Sequence, residues 1–307
     1  MKDLKQRKIN ENYWLDRLSG VLPEIVLPRF TAEERFGETK KERIQMELAD
    51  AAADKLREIS DNSDMALFII FLAGLNVVLC KYTGVADLVI GTLTPRKENV
   101  KENIILCRSR IQDDKTFKET LNQVKQDILT DFDHGDYSFG VLYQKLMENQ
   151  PKVFNISFIY DKLQDKSKLL DQFAVNIVLS AREKRLLLQV EYEANLYQEE
   201  IIRRFSRNLI DFLDNIAEKV DLEIKQIAVV CSAEEQELIA FNRTAAPYPH
   251  DKTLHSLFEE QAARTPDRTA VVGRAAAASL SADEVGEPHS TEIVHVTYRE
   301  LNKRANR

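Results

Sequence analysis

The longest apolar run of the chain, residues 65–80, predicts a single helix buried in a core. Ser63 stands two residues before the run and can cap the helix, and Gly84 follows closely enough to end it. The run is shorter than the ~20 residues that a membrane span needs, and Asn76 interrupts it. It therefore indicates the core helix of a globular domain.

Apolar and polar residues alternate, as in strands with one face in a core, in segments 42–49, 154–160, 173–179 and 186–192. Residues 87–92 are apolar without alternation, which predicts a strand buried on both faces. Residues 104–111 predict a further strand. Only a short polar link separates the last two alternating segments, and this spacing favours a hairpin.

Apolar residues spaced three and four apart predict amphipathic helices at 10–20, 117–132 and 197–219. Residues 50–60 predict an exposed helix. Helices and strands are mixed throughout a unit that ends near residue 230. This mixture predicts an α/β fold in which helices and a mixed sheet form a sandwich.

The pattern changes after this unit. Residues 233–252 are polar and rich in turn formers, as in a linker, and residues 253–263 predict one more amphipathic helix. Small residues of low complexity fill 273–295, which predicts a flexible loop, before a final strand and helix. We therefore divide the chain into a domain at 1–232, a linker, and the start of another domain at 253–307.

The charge and the cysteine content of the chain argue against several kinds of partner and compartment. A formal net charge of −7 argues against a nucleic-acid or anionic membrane surface as partner. The three cysteines form no CxxC pair, and the charged N-terminus has no apolar segment of a secretory signal. These features predict a cytoplasmic protein in a reducing compartment, with no membrane partner.

In the C-terminal region, Asn242 and Thr244 are followed by the segment "YPHDKTLHSLFEEQAARTPDRTAVV". This order of residues resembles the linker element "WNxT" and the beginning of an adenylation domain of a nonribosomal peptide synthetase. Tyr298 and Glu300 lie in "VTYREL", which is similar to the family's first adenylation motif, "LTYxEL". The Gly-rich phosphate loop of adenylation domains is absent from the sequence.

The preceding region resembles the C-terminal half of a condensation domain of the same synthetases. Gly91 and Arg96 lie where the family has its "GxFVNT" region, although Phe-Val-Asn-Thr itself is missing. The motif "HQDYPFE" of the family appears as "HGDYSFG", and its matching residues are His134, Asp136, Tyr137 and Phe139. The family's "RDxSRNPL" element is replaced by "ENQPKVF" at 148–154.

One departure bears directly on catalysis. Condensation domains carry "HHxxxDG" between their two lobes, and this sequence has no His-His pair. We expect that motif in the half that would precede Met1. Since amide formation needs an enclosed site and a proton acceptor, we do not expect this chain to catalyse it alone.

Few side chains offer a substitute for the missing histidine. An aspartate can orient a histidine as a general base, which makes His134 beside Asp136 a candidate, but we favour a structural role for both in a turn. Asp251 is expected to cap the helix at 253–263. No cysteine and histidine spacing indicates a metal, and Cys80 is expected in the core. We therefore assign no catalytic, cofactor or metal residue.

The resemblance implies a lobe of the chloramphenicol acetyltransferase-like fold, a two-layer sandwich, in a nonribosomal peptide synthetase. It implies adenylation and peptidyl carrier domains as partners, with phosphopantetheine carried by the latter and no cofactor bound directly. Peptide antibiotic biosynthesis follows as the expected function. One alternative is a non-catalytic docking platform for the adenylation domain of a starter module. Another is an acyltransferase completed by a separate N-terminal lobe.

Overall fold

The computed structural model describes residues 2–28, 40–96, 103–147, 155–165, 167, 172–183, 185–247, 250–274 and 293–306. The chain divides into two compact units, Met1–Ile239 and Ala240–Arg307. Most of the loop predicted at 273–295 and the element predicted at 148–154 lie outside the described residues.

A mixed sheet of six strands forms the centre of the first unit, as far as that unit is described, in the order β1-β6-β5-β4-β2-β3. The strands are β1 (Lys41–Glu47), β2 (Asp87–Leu93), β3 (Ile104–Arg110), β4 (Ile156–Tyr160), β5 (Val175–Arg182) and β6 (Arg185–Glu193). β4 is parallel to β2 and β5, and the other neighbouring pairs are antiparallel. The predicted mixed sheet, the hairpin of β5 and β6, and the two buried faces of β2 are confirmed.

The helices of this unit are α1 (Lys2–Arg17), α2 (Asp50–Ile59), α3 (Asp64–Thr83), α4 (Phe117–Asp133), α5 (Phe139–Met147), α6 (Glu199–Asp214), α7 (Ile216–Lys219) and α8 (Ser232–Phe241). Several of them correct the sequence-based expectations. α1 begins at Lys2 and ends at Arg17, whereas a helix was predicted at 10–20. The helix predicted as exposed, α2, buries Ala53 and Leu56. The helix predicted at 197–219 is divided at Asn215 into α6 and α7. Half of the segment predicted as turn-rich forms α8, whose end reaches the second unit.

The apolar helix α3 lies in the core, as predicted. The Ser63 hydroxyl accepts a hydrogen bond from the backbone N–H of Ala66, and Gly84 ends the helix with a positive φ of 69°. By length and composition α3 could cross a membrane, but 78% of its apolar window is buried inside the fold. Phe68 and Phe71 of α3 stack on Phe158 of β4, with ring centroids 5.3 and 6.4 Å apart. Such packing of buried aromatic side chains fixes the helix on the sheet.

The register of β2 and β3 shows what each face of the sheet contacts. Leu88 is opposite Ser109, whose hydroxyl accepts a hydrogen bond from the Asn76 amide of α3 at 3.2 Å. Because side chains alternate along a strand, Gly91 lies on the opposite face. There it is covered by Phe173: a Cβ at position 91 would lie 2.2 Å from the Phe173 ring. Glycine is therefore needed at this point of β2.

The second unit contains α9 (Leu254–Arg264), β7 (Thr269–Arg274), β8 (Ile293–Thr297) and α10 (Tyr298–Ala305), and its two strands pair antiparallel. The predicted helix and the closing strand and helix are confirmed. Thr253, rather than Asp251, caps α9, because its hydroxyl accepts the N–H of Ser256. Leu254, the first residue of the helix, is 87% exposed although the amphipathic pattern of 253–263 would place it on the apolar face.

Candidate functional site

The motif "HGDYSFG" forms the turn that joins α4 to α5. His134 ends α4, and its ring is stacked on Tyr13 of α1 with centroids 3.9 Å apart. Its Nδ1 donates to Asn10 Oδ1 at 2.9 Å, and its carbonyl accepts the indole N–H of Trp14 at 2.9 Å. Asp136 is exposed, and no hydrogen bond joins it to His134 in the described structure. His134 therefore connects the end of α4 to α1, and its structural role stays a prediction.

Tyr137 and Phe139 extend this contact between α1 and α5. The buried Tyr137 lies near Glu11, whose carboxylate forms an ion pair with Lys145. Burial and the Glu11 charge raise the pKa of Tyr137, while the Lys145 hydrogen bond lowers the pKa of Glu11. Phe139 packs on the ring of Tyr143 at 5.5 Å. The matching residues of the motif thus link three helices rather than line a reaction site.

Gly135 connects the same turn to the ends of β2 and β3. A Cβ at this glycine would lie 2.3 Å from Cγ2 of Thr94, so only glycine allows this approach. The Asn103 amide donates to the Gly135 carbonyl at 3.0 Å, and the Asn103 N–H donates to the Thr94 hydroxyl at 3.0 Å. Because Thr94 and Asn103 face each other across the link from β2 to β3, the turn fixes the base of that link. Apart from the glycine itself, no feature of the sequence indicated this coupling.

Arg96, the other residue matched in this region, is held by the segment after β4. Its backbone N–H donates to the Leu163 carbonyl at 2.8 Å, and its guanidinium Nη2 donates to the Gln164 carbonyl at 2.8 Å. The fully buried Gln164 side chain in turn donates to the hydroxyl of Thr92 at 3.1 Å and accepts the N–H of Tyr160 at 3.0 Å. These bonds connect the ends of β2 and β4.

This polar bridge compensates for a weak backbone ladder. β2 and β4 share only the register pair Gly91 and Ser157 in the described sheet. The Thr92 hydroxyl donates to the Phe158 carbonyl at 2.7 Å, and the Ser157 hydroxyl donates to Asn176 of β5 at 2.6 Å. Buried polar groups are tolerated when each finds a partner. Sequence reasoning missed these residues, and their one signal was a polar side chain inside an apolar strand.

A cluster of buried charges lies where α1, α4 and β3 meet. Asp131 has no exposed side-chain surface, and it accepts the Tyr13 hydroxyl at 2.6 Å and Arg17 Nε at 3.2 Å. Burial raises the pKa of Asp131, against the opposing effect of Arg17. Arg17 also donates to the Arg108 carbonyl at 2.6 Å, and Arg108 forms a two-pronged ion pair with Asp87. The only sign in the sequence that Asp131 is buried was its position on the apolar face of α4, three residues after Ile128.

The motif histidine and two of the buried cysteines have environments that are set by the fold. The one histidine of the motif is engaged by Asn10 and Tyr13. Burial raises the pKa values of the Cys80 and Cys107 thiols, which keeps them protonated and weakly nucleophilic. No group of three or more histidine, cysteine, aspartate or glutamate side chains suited to a metal occurs in the described part of the chain.

The four motif residues of the C-terminal region belong to local structure of the second unit. Asn242 and Thr244 are exposed, and the Thr244 N–H donates to the Asn242 carbonyl at 2.8 Å. Tyr298 opens α10 and lies 5.9 Å from the ring of Phe258 in α9. Glu300 closes a capping box with Thr297. They stabilise the unit in which they lie, and their assignment to an adenylation motif stays a prediction.

Comparison with known proteins identifies several that are similar to this chain in sequence. Tyrocidine synthase 2 of Brevibacillus parabrevis is 30% identical over 323 residues, which cover 96% of this chain and 8% of that protein. Bacitracin synthase 1 of Bacillus licheniformis is 28% identical over 333 residues, which cover 98% of this chain and 6% of that protein. The chain therefore spans less than a tenth of the length of these relatives.

Two solved structures show the same fold. The chain matches a four-domain nonribosomal peptide synthetase bound to AMP and glycine with a TM-score of 0.71 and 14% identity, over 97% of this chain and 24% of that one. It matches the X-domain from teicoplanin biosynthesis with a TM-score of 0.62 and 20% identity, over 72% of this chain and 57% of that one. The predicted chloramphenicol acetyltransferase-like α/β fold with a mixed sheet is thereby confirmed. The model of the condensation domain family matches residues 1–239, and the chain belongs to that family.

Proposed function

We propose that the first unit is the C-terminal lobe of a condensation domain and forms one wall of its tunnel in a nonribosomal peptide synthetase. The observation that carries this proposal is the family match over residues 1–239 in a sequence without "HHxxxDG". The match to 57% of the X-domain chain also supports a single lobe. Relatives that make tyrocidine and bacitracin support peptide antibiotic biosynthesis as the process.

The proposed reaction joins two carrier-bound groups. An amine nitrogen attacks the thioester carbonyl, the C–N bond forms, the C–S bond breaks, and the amine loses a proton to a base. Holding the two reactants together supplies much of the rate, and this is the contribution we assign to the lobe. The base would come from the other lobe, since His134 is already hydrogen-bonded and stacked.

The partners follow from the same proposal. Carrier domains would present both groups on phosphopantetheine, and the second unit would begin an adenylation domain, on the motifs around Asn242 and Tyr298. We place the synthetase in the cytoplasm. In this proposal phosphopantetheine stays on the carrier domains, and the first unit binds no cofactor directly.

Amide formation tests the proposal directly. The purified chain is mixed with a peptidyl carrier and an aminoacyl carrier, with or without a separate N-terminal lobe that carries "HHxxxDG", and the product is measured by mass spectrometry. We expect product only in the presence of both lobes. Product from the chain alone, abolished by His134→Ala but not by His255→Ala, would overturn the proposal, because it would place the base in this lobe.

A docking platform is the second candidate. It is favoured by the continuity of the chain from the first unit through α8 into the second. If neither mixture forms product, removing residues 1–230 from a synthetase that contains them should leave an insoluble adenylation domain. A soluble and active adenylation domain after that deletion would exclude this candidate.

A further inference from the structure

An open cleft lies on the outside of the first unit, between the first two turns of α3 and the middle of α4. Its volume is about 330 Å³, and apolar side chains line most of it: Ile59, Met65, Ile69, Leu121 and Leu129. The cleft uses none of the residues that link α1, the motif turn and the ends of β2 and β4. It is therefore separate from the site described above.

Both rims of this cleft carry large apolar side chains that are open to solvent. Ile59 at the end of α2 is 46% exposed, and Leu129 of α4 is 37% exposed. The core face of α4 is already formed by Val124 and Ile128, which are buried. Leu129 thus belongs to a second apolar edge of the helix. An exposed apolar patch beside a groove is typical of a protein-binding surface.

Positive charge runs beside the cleft. Lys118, Asn122, Lys125 and Leu129 follow one another at steps of four, three and four residues, so they form one stripe along α4. Within the described residues neither lysine side chain has an ion pair or hydrogen bond. By contrast, Lys115 on the same helix pairs with Glu119 at 3.5 Å. Both lysines are therefore available to an acidic partner.

We propose that this cleft binds an amphipathic helix of a partner protein, with apolar side chains in the cleft and aspartate or glutamate facing Lys118 and Lys125. From Leu121 to Leu129 the cleft extends about 12 Å along α4 at 1.5 Å per residue, which matches two turns of a bound helix. Helices that dock in grooves use apolar anchors at such spacings. Opposite charges at the rim would select an acidic partner.

Other occupants fit less well. Pockets for small molecules enclose most of their ligand, whereas both rims of this cleft face solvent. A second copy of the chain would have to present an acidic helix with a free apolar edge. The acidic helix that the chain itself offers is α8, but its Glu234 and Glu237 already pair with Arg204 at 2.9 and 3.4 Å. The cleft therefore points to a different protein.

A displayed library of amphipathic helices tests this proposal. The library keeps leucines at two-turn spacing and randomises the flanking positions, and it is selected on the full chain. The variants are Lys118→Glu with Lys125→Glu, and Leu129→Ser. The matched control is Lys5→Glu with Lys8→Glu, two exposed lysines of α1. Fluorescence of the buried Trp14 confirms that each variant is folded.

We expect the wild type to enrich helices with aspartate or glutamate beside the leucines. The two charge reversals on α4 should weaken these binders about tenfold and enrich lysine or arginine instead. Leu129→Ser should weaken them too, and the α1 control should not. Enrichment without acidic residues, or equal binding to all variants, would overturn the proposal. Self-association of the chain that Leu129→Ser abolishes would also overturn the proposal, because the occupant would then be a second copy. Displacement of every selected helix by a fatty acid would overturn it too, because the cleft would then bind a small apolar ligand.

Discussion

Helix α4 of the first unit and helix α9 of the second begin in the same way, with a threonine that closes a capping box. Beyond that turn they differ. α4 buries Phe117, Val124 and Ile128, whereas α9 buries only Ala262. Among the described residues of the second unit, Ala262 is also the one buried apolar side chain. Identical local signals therefore start helices in both units, but only the first unit surrounds them with a core.

The difference lies in the amount of surface available for burial. The first unit packs helices on a six-stranded sheet, and the second packs two helices near a hairpin. A two-stranded hairpin is marginally stable in water by itself, and small domains bury the smallest fraction of their surface. We therefore expect the first unit to determine the cooperative unfolding that Trp14 reports. Matched substitutions in the two units can break or sharpen this contrast.

The largest expected contrast is between two leucines. Leu75 of α3 is fully buried, and Leu254 of α9 is almost fully exposed. Leu75→Ala should reduce the free energy of unfolding by about 2–5 kcal/mol, because it opens a cavity in a packed core. Leu254→Ala should change it by less than about 0.5 kcal/mol. Urea unfolding followed by Trp14 fluorescence measures both, and equal effects would contradict the contrast.

Two ion pairs give the next contrast. Arg108 and Asp87 pair at 2.6 Å with 6% and 30% of their side chains exposed, whereas Arg299 and Asp267 pair at 2.9 Å with 64% and 81% exposed. Asp87→Asn should destabilise the first unit by about 3 kcal/mol, since a buried guanidinium loses its partner. Asp267→Asn should have no measurable effect on the second unit, because exposed pairs contribute little.

The effect of Asp87→Asn should also depend on pH. Burial raises the pKa of Asp87, but the hydrogen bonds and charge of Arg108 outweigh it and lower the pKa overall. A lowered pKa gives stability that is complete above the unfolded value, about 3.9, and is lost as the pH falls through the folded value. The wild type should thus lose its advantage over Asp87→Asn below about pH 4. A difference that stays constant in acid would mean that charge is not its cause.

The smallest contrast concerns helix caps. Ser63→Ala removes the cap of α3 and should cost about 1 kcal/mol in the unfolding of the first unit. Thr253→Ala removes the cap of α9 and should leave that unfolding unchanged. Its effect should appear as faster amide hydrogen exchange at the start of α9. If the Trp14 transition shifts equally for both, the two units unfold together.

Much of the fold could be predicted because its signals are local. Ser63, Gly84 and the apolar run between them define α3, and the alternation in β6 defines a strand with one face in the core. The burial of Leu56 could not be predicted, because α2 packs on α6 and β6, which are distant in sequence. The division at Asn215 was missed although its hydrogen bond is local, from the Asn215 amide to the Asp211 carbonyl. The helix α8 was also missed. Its glutamates fit a linker as well as an exposed helix.

The features of the candidate site likewise divide into those that the sequence predicted and those that it did not. The matched motif predicted that His134 lies in a turn. It did not predict the stacking on Tyr13 or the hydrogen bond to Asn10, which are more than a hundred residues away in sequence. Gln164 and Asp131 had no motif at all. Each is a polar residue that becomes buried only when α4, β2 and β4 assemble, so its role appears only in the folded chain.

The sequence by itself determined the family, the mixed α/β class and the caps of α3, because motifs, periodicity and capping depend on residues a few positions apart. Tertiary structure decided which polar side chains are buried and which glycines must stay glycine. Only packing brings Phe173 onto Gly91 and Thr94 onto Gly135. It also decided where charge remains unpaired along α4, since pairing depends on which elements meet in space.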